Sequence, residues 1–404
     1  MTGSMSDLTV DDYAYFDYAA TAPLCDEAAC AMAAYQVPGR ANLIVGANAN
    51  SLHSPGRAAF EAMERARKSV AADIGARRPD EVVFTSGATE ADVAALVGIA
   101  HGAAHARHID LARGETPHIV TTAIEHDAVL QPAKRLEAQG FRVTYVRPDR
   151  QGFVSAQAVR DAVGPQTVLV SVQAANSELG SVQPLCDIAR AAHDGGALFH
   201  TDAVQAAGKL PLSMQDIGAD AASFSAHKVG GPKGVGALYL RARTPFEAQL
   251  LGGGQESARR SGTQNVAGIV GFAAALRASV NMQVSESARL CALRDRLYAE
   301  LAAMDGVMPT VEVPSQSERF LPNIVHVLVR GMESETLILR LDALGFGVSG
   351  GSACSSHSLA PSHVLTSCGV SADAAQGALR ISLGRYTTER DVETLIAALP
   401  RVIR

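Results

Sequence analysis

What most constrains this chain is a repeated alternation. Short apolar runs rich in β-branched and aromatic residues read as strands: EVVFT (81–85), HIVTT (118–122), RVTYV (142–146), TVLVSVQ (167–173), ALFHT (197–201), AASFS (221–225) and GALYL (236–240). Between several of them lie stretches with helical spacing, such as EADVAALVGIA and PLCDIARAAHDGG. Strand–helix–strand repetition brings successive strands side by side in parallel, and the crossovers cover both faces of the sheet. The pattern predicts an α/β fold with a mostly parallel seven-stranded sheet and helices on both faces, spanning residues 20–265 as a large domain.

After Thr263 the pattern changes. Long helical spacing covers 266–304, followed by NIVHVLV, a helix after Glu333, the run VSGGSACSSHS, the strand-like ALRISLG and a last helix beginning near Thr387. This predicts a smaller α+β domain built from 1–19 and 266–404. No internal repeat, low-complexity tract or linker marks the boundary.

The chemistry concentrates between His200 and Gly236, where HTDAVQAAGK is followed by SFSAHKVGGPKGVG. Asp202 ends one apolar run and Lys228 follows another, twenty-six residues on. Both fall at the carboxyl edge of the expected sheet, where open α/β sheets bind ligands. A lysine amine that can form a Schiff base with an aldehyde, and a carboxylate that can keep a pyridine nitrogen protonated, together suit pyridoxal 5'-phosphate (PLP). Alone, Lys228 would pass for a surface lysine and Asp202 for a helix cap. Cys354 lies in a run of small and polar residues that could not pack as a core helix or strand, so a flexible loop carrying one thiol is expected there.

Composition narrows the partners. With 35 basic against 41 acidic residues, the net charge of −6 offers no broad basic face for nucleic acid or an anionic membrane. The N-terminus MTGSMSDLTVDDYAYF is acidic and has no secretory pattern, and no apolar run approaches the roughly 18 residues of a membrane helix, so a soluble cytoplasmic protein is expected. Its partners are then small molecules and proteins. Six cysteines are scattered without zinc-site spacing or disulfide density, so no metal site is expected, and those other than Cys354 are expected to be mostly buried.

Several further segments carry a resemblance: YFDYAATAP, NANSLHSPGR, FTSGATEA, IEHDAV, GGGQE, RSGTQNVAGIVGF, SGGSACSS and LRISLGRYTT. With the two segments around Asp202 and Lys228, and in this order over nearly the whole length, the chain resembles the cysteine desulfurases. These are fold type I PLP enzymes of the class V aminotransferase family. The resemblance implies that Ala88 and Thr89, at a strand–turn–helix start, offer N–H groups and a hydroxyl to the cofactor phosphate, although a capped turn would look the same. Ser225 and His227 would add phosphate contacts, and Thr263 would reach the phosphate of a neighbouring subunit, which implies a homodimer. His126 would stack on the ring and act in acid–base steps, and Gln205 would meet the phenolic oxygen. Arg380 would clamp the substrate carboxylate, unless it forms an internal salt bridge with an acid such as Asp373.

The activity implied is conversion of L-cysteine to L-alanine. Lys228 would take the α-proton, and a persulfide would form on Cys354 and pass to a sulfur-acceptor protein for iron–sulfur cluster assembly or tRNA thiolation. The length up to SHVL resembles the long-loop group. Asn176-Ser177-Glu178 stands where the family usually has Asn-Asn-Glu, which puts Asn176 and Ser177 on the substrate side and predicts altered amino-acid handling. Tyr18 and Ala22 also replace the more usual asparagine and threonine near that side. A selenocysteine lyase or aminotransferase would keep Lys228 without needing Cys354, and a non-catalytic PLP-binding scaffold subunit would keep the cofactor without turnover.

Overall fold

The computed structural model describes residues 13–109, 113–351 and 361–403. In chain order its strands are Ala14–Tyr15 (β1), Val82–Thr85 (β2), His118–Thr122 (β3), Arg142–Val146 (β4), Thr167–Ser171 (β5), Leu198–Asp202 (β6), Ala221–Ser225 (β7), Gly236–Leu240 (β8), Val307–Pro309 (β9), Ile324–Val329 (β10), Phe346–Gly347 (β11) and Ala378–Ser382 (β12). The central sheet has the order β2-β8-β7-β6-β5-β3-β4. Only β8 runs against its neighbours, so the other six strands deliver their carboxyl ends to one edge.

The α/β fold with a mostly parallel seven-stranded sheet is therefore the one that the alternation predicts. Along β2, Val83 packs on one face while Val82 and Phe84 pack on the other; Ile119 and Val120 of β3 divide in the same way. That period of two needs helices on both faces. One face is covered by Ala88–Ala106 and Asp127–Ala138, the other by Ser54–Asp73, Leu185–Asp194 and the start of Val266–Ala302. β2 begins one residue later than its apolar run suggests, because Glu81 closes a tight turn: its carboxylate accepts from Arg78 N at 3.1 Å and Ala242 N at 3.0 Å. The segment EADVAALVGIA is helical but contains a π turn, Ala94–Gly98, and the Gly98 carbonyl accepts from Glu247 N at 2.9 Å.

The second unit is a three-stranded antiparallel sheet, β12-β10-β9, with β1 pairing in parallel to β11 beside it. The long helical spacing over 266–304 corresponds to one helix of 37 residues, Val266–Ala302. Its first half places Ile269, Phe272 and Leu276 in the core of the central sheet, and its second half places Leu293, Leu297 and Leu301 in the core of the second unit. A rod that packs in both cores takes the place of a linker. Of the cysteines outside the 354 segment, Cys25 and Cys368 are buried, Cys291 is half-buried, and Cys30 and Cys186 are exposed, so burial is less general than expected.

The GGGQE segment is held by one buried ion pair. Glu256, Ser257 and Ala258 all have left-handed backbone, at φ 50, 57 and 62°, an arrangement that costs about 1 kcal/mol or more per non-glycine residue. The Glu256 carboxylate offsets it by accepting from both Arg67 terminal nitrogens, at 2.6 and 2.9 Å, and from Phe84 N at 2.9 Å. The Arg67 guanidinium also lies 4.7 Å over the Phe84 ring. Glu256→Ala takes the buried carboxylate from the Arg67 terminal nitrogens, leaving only the more exposed Glu64 carboxylate, on Nε at 2.8 Å, and should destabilise the protein by about 3 kcal/mol. Urea unfolding measures this, and an unchanged midpoint would show that the pair does not hold the turn.

Candidate active site

Residues that follow five of the six aligned strands, β2, β3, β5, β6 and β7, line a cavity of about 520 Å³. After β2 comes Ser86-Gly87, and the helix starts at Ala88, so that its first turn lines the cavity. The turn is tight because β8 starts against it: a Cβ at Gly236 would lie 2.7 Å from the backbone of Gly87. Ala88, Thr89, Ser225 and His227 all line this end. His227 Nδ1 lies 3.1 Å from Thr21 Oγ1, and burial with three nearby lysines, Lys228, Lys233 and Lys209, pushes its imidazole down to about 4.

After β6 and β7 stand the acid and the lysine. Asp202 is the last residue of its strand, and its Oδ1 accepts from Val204 N at 3.0 Å. Burial raises its carboxyl above the usual range, while that hydrogen bond, His126 and Lys228 pull the other way. Lys228 Nζ donates to the carbonyls of Ala19 (2.6 Å) and Ala20 (2.7 Å). Gln205 Nε2 donates to the same Ala19 carbonyl at 3.0 Å, and its Oε1 is buried without a partner among the described residues. After β3, His126 caps the helix Asp127–Ala138: its Nδ1 accepts from Ala128 N at 3.0 Å, which places the proton on Nε2.

These groups fit PLP. Asp202 is a buried carboxylate in need of a cation, which a protonated ring nitrogen provides. Gln205 Oε1 is a buried acceptor without a donor, the helix start and hydroxyls suit a phosphate, and Lys228 presents an amine. Among the described residues, no group of three His, Cys, Asp or Glu side chains is arranged to hold a metal ion.

The opposite wall comes from the second unit. Arg380, in the middle of β12, is only 2% exposed. Its Nη2 pairs with Asp17 Oδ1 at 2.8 Å, so the internal acid is Asp17 and not Asp373. Nη1 donates to the carbonyls of Ser177 and Gly351, and Nε is buried without a partner among the described residues. Ser177 lines the cavity and Asn176 does not. The Asn176 amide is engaged with backbone: Oδ1 accepts from Glu178 N and Leu179 N, both at 2.9 Å, and Nδ2 donates to the Ile124 carbonyl at 3.2 Å. Thr263 is exposed and does not line this protomer's cavity. Tyr18 and Ala22 line a separate cavity of about 90 Å³ on the far side of Lys228.

Cys354 lies outside the described residues, as does most of the loop expected around it. On one side Gly351 lines the cavity; on the other, Ser362 donates to Glu178 Oε2 at 2.7 Å, and His363 lines the cavity with Nε2 donating to the Glu125 carbonyl at 2.9 Å. Sequence reasoning did not single out Asp17, the Ala19 and Ala20 carbonyls, Asp92, Glu125 or His363. The Glu-His pair in IEHDAV was a usable signal for Glu125, whereas backbone carbonyls leave none.

Two fully buried imidazoles stand beside the site. Burial holds both His200 and His326 down at about 3. A histidine whose native value lies below its unfolded value of about 6.5 takes up a proton on unfolding, so its contribution to stability is complete above that pH and is lost as pH falls. The free energy of unfolding should therefore drop between pH 6.5 and 4. His326→Gln, which keeps an acceptor for Thr310 but does not titrate, should lessen the drop by about 3 kcal/mol. Denaturant titrations at several pH values measure this, and an unaltered slope would count against a neutral His326.

The family model for aminotransferase class-V matches residues 14–395. The chain is 39% identical over 389 residues to the cysteine desulfurase IscS of Dictyoglomus turgidum, covering 96% of this chain and 94% of that protein. Among solved structures, a NifS-like protein superposes with a TM-score of 0.86 at 36% identity, covering 97% of this chain and 99% of the other. SspA in complex with cysteine superposes with a TM-score of 0.76 at 34% identity, over 93% and 99% of the two chains.

Proposed function

Because the chain belongs to the aminotransferase class-V family, and within it to the PLP-dependent cysteine desulfurases that turn L-cysteine into L-alanine, we propose the following roles for its residues. The observation that carries the assignment is that Lys228, Asp202, His126 and Arg380 line one cavity, with Gly351 and His363, from either side of the Cys354 segment, in the same wall. When bound, PLP accepts the electron pair that remains when a substrate bond at Cα is broken.

Asp202 would hold the ring nitrogen protonated, Gln205 would meet the phenolic oxygen, and Ala88, Thr89, Ser225 and His227 would bind the phosphate. Arg380 orients L-cysteine by its carboxylate. Its guanidinium is already fixed by Asp17, Ser177 O and Gly351 O, so little ordering is left for the substrate to pay for. Lys228 Nζ takes the α-proton and holds it beside Cα. The Cys354 thiolate then bonds to the substrate sulfur as the Cβ–S bond breaks, leaving a persulfide on Cys354 and, after protonation at Cβ, alanine. A thiol near its ordinary pKa of about 8.5 is only a few per cent ionised at neutral pH. The fixed Nε2–H tautomer of His126 makes it a proton carrier at the cavity, and Ser177, where the family has an amide, offers a single hydroxyl.

The sulfur then passes to an acceptor protein in the cytoplasm. The enzyme acts as a homodimer in which Thr263 completes the partner's phosphate site. Support for the dimer is a run of exposed apolar side chains, Leu43, Ile44, Leu52 and Leu251. The hydrogen bond of 2.8 Å from Asn50 to Gln264, next to Thr263, ties part of this run to the Thr263 loop.

The deciding experiment incubates the purified protein with L-cysteine and a reductant. Wild type should yield alanine and sulfide in equal amounts. Cys354→Ala should keep the cofactor absorbance and lose sulfide by about a hundred-fold or more; equal rates would remove Cys354 from the mechanism and favour a lyase that needs no thiol. In parallel, Thr263→Ala should weaken cofactor affinity by about 10-fold or more, the loss of one hydrogen bond to a charged group, without changing the dimer seen by sedimentation. A monomeric wild type would refute the shared site.

A further inference from the structure

The wall behind Asp202 holds more acid than the roles above require. Asp92, on the helix that follows β2, is 1% exposed and lines the cavity, and neither of its carboxyl oxygens makes a hydrogen bond among the described residues. The charges acting on it are of its own sign: Asp202 from the end of β6 and Glu125 from the turn after β3. The neutral groups around it are Ser223 of β7 and His200 of β6, whose Nε2 is 3.7 Å from Asp92 Oδ1. That imidazole is already bonded on both sides, to Ser171 Oγ at 2.8 Å and Ser223 Oγ at 3.1 Å, and burial keeps it uncharged.

Three carboxyl groups sharing one dry wall cannot all ionise. The support they receive is unequal. Asp202 has the Val204 N–H, with His126 and Lys228 nearby to favour its charge. Glu125 Oε1 accepts from Thr122 Oγ1 and Gln173 N, yet burial still lifts its carboxyl to about 8. Asp92 has only the nearby Ser223 hydroxyl to favour its charge, and burial together with Asp202 and Glu125 raises it well above the carboxylate range.

We propose that Asp92 is a positioning residue that carries the proton of a carboxyl pair with Asp202, so that Asp202 alone presents negative charge to the cofactor's ring nitrogen. An ionised Asp92 would raise the proton affinity of Asp202 and weaken that presentation. The inference rests on the reading that Asp202 faces the ring nitrogen.

The test is thermal unfolding of the holoenzyme and its Asp92→Asn variant from pH 5 to 8, with cofactor absorbance recorded alongside. A carboxyl whose native pKa lies above its unfolded value of about 3.9 destabilises the fold progressively as pH rises toward the native value. Asparagine keeps the shape and cannot ionise, so the melting temperature of Asp92→Asn relative to wild type should climb steadily across this range. In an Asp202→Asn background the climb should shrink, because the repelling charge is gone. A difference that is flat or falls with pH would show that Asp92 is ionised and would overturn the proposal; a climb undiminished by Asp202→Asn would overturn the pairing. Should Asp92→Asn fail to fold, Asp92→Ser supplies the same comparison. The absorbance separates the two readings: if Asp202→Asn leaves the cofactor band unmoved, the role given to Asp202 fails, whatever the melting profile says of Asp92.

Discussion

The site depends on how a short N-terminal strap is tied down. Ala14 and Tyr15 pair with Phe346 and Gly347, Asp17 binds Arg380, and Ala19 N donates to Ser382 Oγ. Two residues further the strap turns to the central sheet. The Ala19 and Ala20 carbonyls accept from Lys228, Ala22 N donates to the His227 carbonyl, and Cys25 N donates to the Gly230 carbonyl. One stretch of backbone thus fixes the arginine on the second unit relative to the lysine on the first. A reaction in which one residue holds the substrate's carboxylate while another works on the adjacent carbon needs that separation fixed, because small misplacements cost large factors in rate. Apart from the Asp17 carboxylate, the strap does this with main-chain groups, which cannot swing away as long side chains can.

Electrostatics follow from the same enclosure. The carboxyl groups and imidazoles at the strand ends are mostly buried, so they carry charge only where something local supports it. His200, His227 and His326 are held neutral, whereas Glu125 and Asp92 are pushed toward their protonated forms. The supports that favour an ionised carboxylate, a backbone N–H and the nearby His126 and Lys228, converge on Asp202. A supported carboxylate whose buried acidic neighbours are neutral acts strongly on a cationic ring, since burial leaves little to screen it.

The fold was legible in the sequence because its signal is local. Apolar runs of four to six residues mark β3, β4, β7 and β8 to the residue, and a parallel sheet sends the residues after those runs to one edge. Asp202, Lys228 and His126 could be placed for that reason. Arg380 was visible as a buried cation, but its partner was not: Asp17 lies 363 positions away and sits in no pattern that points at β12. Asn176 and Ser177 look interchangeable on paper, and only the tight turn after β5, which engages the Asn176 amide with backbone, decides that Ser177 meets the cavity. The long helix was readable as helical spacing, yet nothing in its residues told that two cores would share it.

The arrangement also bears on the thiol proposed at Cys354, because residues on both flanks of its segment, Gly351 and His363, line the cavity. The cavity wall joins the helix start and hydroxyls, Asp202 and His126 of the first unit to Arg380 of the second. A thiol that must meet substrate and then deliver sulfur to a second protein needs its segment tied to the site, and two anchors flank Cys354 in the sequence. Gly351 is held through its carbonyl by Arg380, the residue proposed to bind the substrate's carboxylate, while Ser362 and His363 are held by Glu178 and the Glu125 carbonyl. Both flanks of the segment are thus tied to the wall, one of them through the proposed substrate-binding group itself.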